Sequence, residues 1–202
     1  MTILVTGFEP FGDQTINASW EVASRLPSEI NGVKIIVMQL PVVYHKSIAA
    51  IAKTLEGDNT ITDVIMLGEA GGRTRISIEM IGVNMDDASI PDNAGVLHQG
   101  TPIYEQGSDA HFATIPVKKI VEHLVSKQQV PAYSSWSAGQ FLCNHVLYGA
   151  LHMNHANNRK TRAGFVHLPY TCAQGAAANL AGLPTSEMVR GIESLLAYLV
   201  DN

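Results

Sequence analysis

One cysteine of this chain occupies a position that favours nucleophilic chemistry. Cys143 follows a predicted strand and falls in the first turn of a predicted helix. Unpaired backbone N–H groups and the helix dipole favour an anion there, so we expect a lowered thiol pKa and an activated thiolate. The alternative is a small buried apolar residue, which is what most free cysteines are and what composition alone favours.

A histidine further along the chain supplies the base that such a cysteine needs. His167 lies near the carboxyl end of the next predicted strand. A strand–helix–strand crossover brings consecutive carboxyl ends to one edge of a sheet, where open α/β sheets place their ligand sites. His167 is therefore predicted to accept the proton of Cys143. The alternative is a histidine whose ring is satisfied by a backbone carbonyl.

A carboxylate interrupts an otherwise apolar predicted strand at residues 76–83. Burying the Glu79 side chain there is costly without a partner, and an imidazolium is such a partner. Glu79 is therefore the candidate for the group that orients His167. The alternation with Ile78 and Met80 also allows Glu79 to face outward from a half-exposed strand.

Other polar and aromatic features give weaker signals. His152 and His155 have a spacing that suits a metal, but no Asp, Glu or Cys completes a ligand set nearby. A solvated helix face is therefore predicted, and no metal site. The glycine-containing loop around Phe8 and Phe11 matches neither of the common phosphate-binding patterns. Its two aromatic rings are interpreted as walls of an apolar pocket or as core.

Short β-rich runs alternate with helical patterns along the chain, which is typical of an α/β domain. Residues 84 to about 111 carry neither pattern, and long segments of that kind are often lids, binding loops or contact surfaces. We expect one domain over residues 1–202, with a mostly parallel sheet and helices on both faces. The predicted strands are 3–6, 33–37, 63–68, 76–80, 131–135 and 163–168; the predicted helices are 17–26, 44–55, 117–126, 142–155 and a last one capped by Thr185, Ser186 and Glu187.

The overall composition limits the classes of protein to which this chain can belong. Hydrophobic residues make up 46% and charged residues 15% of the 202 residues, which predicts a globular chain with a substantial core. The formal net charge of -5 and the lack of a Lys/Arg cluster argue against nucleic-acid and membrane partners. There is no secretory signal pattern, no membrane-length apolar run and no disulfide framework, so a cytoplasmic location is expected.

Five segments of the chain, taken in order, resemble one family. They are Thr6-Gly7-Phe8-Glu9-Pro10-Phe11-Gly12; Gly71-Gly72-Arg73 with Ile78-Glu79 and Asn84; Ile90-Pro91-Asp92-Asn93; Ser137-Ala138-Gly139 with Leu142-Cys143-Asn144; and Gly164-Phe165-Val166-His167-Leu168-Pro169. Together they resemble pyroglutamyl peptidase I, the pyrrolidone-carboxylate peptidase family, from residue 3 to about residue 170.

The resemblance implies a specific activity and fold. The chain would be a cysteine exopeptidase that hydrolyses the amide bond after an N-terminal pyroglutamyl residue through a thioester. Cys143 would be the nucleophile, His167 the general base and Glu79 the third member of the triad. The fold would be a three-layer α/β/α sandwich with a twisted, mostly parallel mixed sheet. The protein would need no cofactor and would form a homotetramer.

The same resemblance implies a substrate pocket. Phe8 and Phe11 would clamp the neutral lactam ring and Phe141 would complete the pocket, with Asn17 and Glu69 as further substrate-binding candidates. Similar proteins often carry a neutral residue such as Gln at the position of Glu69. A carboxylate facing the pocket is expected to weaken lactam binding or to shift its pH dependence.

Two other functions fit part of the sequence. A phosphorylase of similar α/β architecture would need convergent cationic residues for phosphate, and only Arg73 and Arg75 offer them. A binding protein without activity would keep the pocket and use Cys143 only for packing. An unreactive Cys143 in the folded protein would point to the second of these.

Overall fold

A seven-stranded sheet forms the centre of the computed structural model, which describes residues 1–157 and 159–202. The strands of the described residues are β1 (Thr2–Phe8), β2 (Glu29–Ile30), β3 (Val33–Leu40), β4 (Ile61–Glu69), β5 (Ile76–Glu79), β6 (Ile81–Val83), β7 (Ala110–Phe112), β8 (Ala132–Ser135) and β9 (Arg162–Leu168). The strand order in the sheet is β2-β3-β1-β4-β9-β5-β8, and β6 and β7 form a separate ribbon. Within the seven-stranded sheet, four strand pairs are parallel and two, β2–β3 and β5–β9, are antiparallel, so the predicted mixed, mostly parallel sheet is confirmed.

Helices cover both faces of the sheet, as predicted. They are α1 (Ala18–Ala23), α2 (Lys46–Gly57), α3 (Val117–Ser126), α4 (Leu142–Ala156), α5 (Cys172–Ala178) and α6 (Thr185–Asp201). Side chains of a strand alternate between faces: in β4, Ile65 and Leu67 pack with α1, α3 and α6, whereas Val64 and Met66 pack with α2 and α4. None of the described helices combines the length and the apolar character needed to span a bilayer.

The connection from β8 to β9 differs from the predicted crossover. β8 is parallel to β5, and β5 lies between β8 and β9 and is antiparallel to β9. The carboxyl ends of β8 and β9 therefore point in opposite directions, so the expected sharing of one sheet edge is wrong. Strands consecutive in sequence are usually neighbours in the sheet, but here the four-residue strand β5 takes the intervening place.

Local capping explains two further differences from the sequence-based elements. Helix α6 begins at Thr185, and Pro184 at its N-cap makes no side-chain capping hydrogen bond, so the predicted cap by Thr185 is wrong. Helix α5 is absent from the predicted elements, although Thr171 and Gln174 form a capping box at its start. A Thr and a Gln three residues apart are the sequence signal that identifies such a start.

The segment from residue 84 to β7 forms no helix or strand among its described residues, as predicted, apart from one bridge between Asp86 and Thr101. Its beginning is fixed to α4. The Asn144 side chain accepts from Val83 N–H at 2.9 Å and donates to the carbonyl oxygens of Val83 and Met85 at 2.8 and 2.9 Å. Because Asn144 directly follows Cys143, these bonds join the segment to the helix turn that carries the thiol.

Candidate active site

Cys143 lies in the first turn of α4, where the sequence predicts it. Phe141 is the N-cap residue of this helix and makes no side-chain capping hydrogen bond. The first backbone N–H groups of α4 therefore stay open to a ligand. The sulfur lies close above β4: a methyl group at Gly68 would come within 2.8 Å of Cys143 Sγ.

His167 and Glu79 form a buried pair beside this thiol. His167 Nδ1 lies 2.8 Å from Glu79 Oε1, and the two residues are 4% and 0% exposed. They are diagonal neighbours on one face of β9 and β5, because His167 pairs with Ser77, two residues before Glu79. The outward-facing alternative for Glu79 and the carbonyl-satisfied alternative for His167 are therefore both wrong.

The charges of this pair follow from its burial and hydrogen bonds. Burial would raise the pKa of Glu79, but the hydrogen bond and charge of His167, together with smaller contributions from Ser135 and Arg73, outweigh it and the pKa is lowered. Burial lowers the pKa of His167, the hydrogen bond and charge of Glu79 raise it, the charge of Arg73 lowers it, and the net shift is downward. The pair is thus a carboxylate beside a neutral imidazole. Since a carboxylate only accepts, Nδ1 carries the ring proton and Nε2 is left as an acceptor.

The thiol itself is not activated in the resting site. Burial, and then the negative charge of Glu79, raise the pKa of Cys143 to about 12, so the expected lowering by the helix N-terminus is wrong here. Desolvation disfavours the charged thiolate relative to the neutral thiol. The described side chains include no hydrogen bond between Cys143 and His167, although both line one cavity. Catalytic hydrogen bonds are often long before substrate binds.

An apolar cavity of about 200 Å³ adjoins Cys143 and His167. All five substrate-binding candidates line it: Phe8, Phe11, Asn17, Glu69 and Phe141. The rings of Phe11 and Phe141 are 6.2 Å apart between centroids, and Tyr44 supports Phe141 from behind at 5.8 Å in an edge-on contact. The structure therefore brings the predicted pocket and the predicted triad to one place.

Asn17 contributes to the cavity wall through its position, because its own polar atoms are engaged. Its Oδ1 accepts from Ser19 N–H at 3.0 Å and from Ser19 Oγ at 2.7 Å, which caps α1. Its Nδ2 donates to the carbonyl oxygen of Glu9 at 3.0 Å. The residue is 2% exposed, so its main effect is to fix the start of α1 at the cavity.

Glu69 presents a half-satisfied carboxylate to the cavity. Its Oε2 accepts from Ala18 N–H and from Gln174 Nε2, both at 2.7 Å. Its Oε1 has no hydrogen-bond donor among the residues that the structure describes. Burial raises the pKa of Glu69 against these two bonds.

The contact of Arg73 with Glu79 was not predicted from the sequence, where Arg73 was a candidate phosphate ligand and part of a segment that resembles the family. Arg73 Nη1 lies 2.7 Å from Glu79 Oε1. Arg75 stacks over the ring of Tyr133, 4.8 Å from its centroid, and is exposed. The two arginines therefore do not converge on a common ligand, which removes the basis of the phosphorylase hypothesis. An arginine in the turn before a buried carboxylate strand was the signal for this contact.

Comparisons with known proteins agree with the fold. The family model described as pyroglutamyl peptidase matches residues 1–199. A pyrrolidone-carboxylate peptidase from Caldanaerobacter subterraneus subsp. tengcongensis is 41% identical over 203 residues, covering 99% of this chain and 97% of that protein. The crystal structure of pyroglutamyl peptidase I from Bacillus amyloliquefaciens superposes with a TM-score of 0.94 at 32% identity, covering 100% of this chain and 97% of that one.

A third similar protein is a solved structure from a thermophilic bacterium. The crystal structure of a pyrrolidone carboxyl peptidase from the thermophilic, keratin-degrading bacterium Fervidobacterium islandicum superposes with a TM-score of 0.94 at 30% identity, covering 100% of this chain and 99% of that one. The family model and these full-length relatives span the helices, the sheet and the cavity alike. This chain therefore belongs to the pyroglutamyl peptidase family.

Proposed function

We propose that this protein is a cysteine exopeptidase that removes an N-terminal pyroglutamyl residue through a Cys143-His167-Glu79 triad. The observation that carries the proposal is the buried His167–Glu79 hydrogen bond of 2.8 Å at the wall of the aromatic cavity that also holds Cys143. Membership of the pyroglutamyl peptidase family supports the same reaction. An inactive binding protein would have no use for a buried carboxylate that orients an imidazole beside a thiol.

The first half of the reaction begins from a neutral thiol and a neutral imidazole. As Cys143 Sγ attacks the pyroglutamyl carbonyl carbon, His167 Nε2 takes the thiol proton, and Glu79 stabilises the imidazolium that forms. The carbonyl oxygen becomes an oxyanion, which the backbone N–H of Cys143 at the start of α4 is positioned to stabilise. His167 then gives its proton to the leaving amine, and the C–N bond breaks to leave a thioester.

Hydrolysis of the thioester completes the cycle. A water molecule gives one proton to His167 and attacks the same carbonyl carbon. The C–S bond breaks, the proton returns from His167 to the sulfur, and pyroglutamic acid leaves and loses its carboxyl proton to solvent. The thiol and the imidazole are thereby both restored to the neutral forms from which the reaction began.

The cavity suits the lactam ring of pyroglutamate for physical reasons. The ring is flat and uncharged, so Phe8, Phe11 and Phe141 bury it without the cost of desolvating an ammonium group. Its N–H requires an acceptor, and Glu69 Oε1 is available for that bond. A charge-assisted bond of this kind is stronger than one to a neutral amide, so the geometry of Glu69 favours stronger lactam binding in place of the weakening expected from the sequence alone.

The test is to compare two amides that release the same fluorescent amine, one pyroglutamyl and one prolyl, under reducing conditions. The proposal predicts turnover of the pyroglutamyl amide and rates at least about a hundredfold lower for the prolyl amide, because the prolyl ring lacks the carbonyl and carries a charge. Equal turnover of both, or turnover of neither by folded protein, would contradict it.

A further inference from the structure

Arg73 connects the candidate triad to the segment that leads to the nucleophile. It follows Gly72, whose φ of +85° turns the chain back toward β5, and its side chain is 25% exposed. Nη1 donates to Glu79 Oε1 at 2.7 Å and to Ser77 Oγ, while Nη2 donates to the carbonyl oxygen of Ser137 at 3.2 Å. One guanidinium thus spans β5 and the chain that follows β8.

The contact with Glu79 falls on the oxygen that His167 also uses. Oε1 accepts from Arg73 and from His167, whereas Oε2 is buried and has no partner among the described residues. The carboxylate cannot rotate about its side chain without losing both bonds. Arg73 therefore fixes the direction in which Glu79 meets the imidazole.

The hydrogen bond from Arg73 to Ser137 restrains the chain that leads to Cys143. Ser137 opens the stretch 137–141, whose residues Ala138, Gly139 and Phe141 line the cavity just before Cys143. Gly139 has a φ of +76°, so the stretch follows a sharp, defined turn. A bond at its first residue limits how far this stretch, and the helix start behind it, can move from β5.

We propose that Arg73 is a positioning residue of the reaction. Its guanidinium orients Glu79 toward His167 and keeps the 137–141 stretch next to the triad. Its positive charge balances the negative charge of Glu79 when the thiol ionises. The inference rests on the proposed function. It gives Arg73 an effect on the reactivity of the Cys143 thiol, in addition to any contribution to folding.

The charges around the site indicate how the effect of Arg73 on the thiol can be measured. The charged groups that act on Cys143 are Glu79, Arg73 and Glu69, and those that act on His167 are Glu79 and Arg73. The two carboxylates raise the pKa of the thiol and Arg73 lowers it. Arg73 also lowers the pKa of His167. Removing the guanidinium charge therefore moves both pKa values upward, and the pH dependence of thiol reactivity moves with them.

The experiment is alkylation by iodoacetamide over a range of pH, with the rate at Cys143 followed by peptide mass spectrometry. Cys172, which is exposed, serves as an internal reference in the same samples. We expect R73Q to react about tenfold more slowly at Cys143 near neutral pH, a change equivalent to about 1.4 kcal/mol, with its profile displaced to higher pH. The matched control R75Q removes the same charge two residues away, outside the site, and should leave the profile unchanged.

A conservative variant separates charge from geometry. R73K keeps the cation but not the two-pronged guanidinium, so its alkylation profile should stay near that of the unmodified protein while kcat for the pyroglutamyl amide falls at nearly constant KM. Thermal denaturation identifies any variant that does not fold. If R73Q does not fold, the inference is tested with R73K only.

Three results would overturn the inference: R73Q with an unchanged alkylation profile, R75Q with an equal displacement, or R73K with an unchanged kcat. Alkylation of Cys143 needs no substrate. A protein that failed to hydrolyse the pyroglutamyl amide but showed the R73Q displacement would therefore refute the proposed function and leave the link between Arg73 and the thiol in place.

Discussion

At the scale of single residues, the bond between Glu79 and His167 decides which imidazole nitrogen faces the thiol. Replacing Glu79 by Gln offers Nδ1 an amide that can donate, which favours the tautomer with its proton on Nε2. We expect kcat to fall by about a hundredfold or more with little change in KM, measured by amine release from the pyroglutamyl amide. Glu56→Gln makes the same charge change at an exposed site of α2 and should keep full activity. Normal turnover of E79Q would assign Glu79 a structural role.

A second prediction for a single residue concerns the protonation of Glu69. Its pKa is raised by burial, so its carboxylate takes up a proton at a pH above the ordinary range for an exposed glutamate. The protonated group is a weaker acceptor for the lactam N–H. KM should therefore rise about fivefold as pH falls through that raised pKa, and the rise should be absent in Glu69→Gln. A lower KM for E69Q at neutral pH would instead mean that the carboxylate repels the substrate.

The candidate catalytic residues stand out in the sequence because each one is unusual in its setting. Glu79 interrupts apolar neighbours, Cys143 opens a helix, and His167 ends a strand. The contact of Arg73 with Glu79 could not be predicted in the same way, because the reach of a long side chain depends on how the turn before β5 is placed. The raised pKa of Cys143 also depends on burial, which spacing does not reveal.

At the scale of elements, the thiol depends on how closely α4 approaches β4. An added methyl group at Gly68 would lie 2.8 Å from Cys143 Sγ and 2.5 Å from Phe165 Cζ. We expect Gly68→Ala to displace the sulfur and to lower kcat/KM by about a hundredfold, with a stability loss of about 1–3 kcal/mol by thermal denaturation. Gly57→Ala, which meets open space at the end of α2, is the control and should change neither quantity appreciably. An active G68A would show that the sulfur need not sit so close to β4.

Elements with a strong local pattern were predictable, and those formed by tertiary contacts were not. Helix α3 has the predicted limits, Val117–Ser126, because its apolar residues recur at helical spacing. The ribbon of β6 and β7 pairs three-residue strands that are far apart in sequence, and such short runs carry no periodicity. The two-residue strand β2 was missed for the same reason.

At the scale of the whole molecule, the pH range expected for activity follows from the buried setting of the proposed triad. His167 must be neutral to accept the thiol proton, and burial lowers its pKa. The acid limb of kcat/KM should therefore lie below the ordinary histidine value of about 6.5. Because Glu79 raises the pKa of His167, the residual activity of E79Q should have its acid limb at still lower pH. An acid limb above the ordinary value would contradict a neutral buried imidazole.

The global topology was predictable as a class but not in its strand order. Alternating strands and helices indicated a mostly parallel sheet covered on both faces, and this is what the molecule has. The insertion of β5 between β8 and β9 is a nonlocal pairing that no local pattern encodes. It also brings Glu79 beside His167, so the strand order that the sequence did not reveal is the one that brings two members of the proposed triad together.

The most direct test of the account is kcat/KM for the pyroglutamyl amide in Cys143→Ala, with Cys172→Ala as the matched control. We expect loss of nearly all turnover in C143A, with an unchanged melting temperature, and normal turnover in C172A because Cys172 is exposed and outside the cavity. Turnover that survives in C143A, or disappears in C172A alone, would contradict the assignment of Cys143 as the nucleophile.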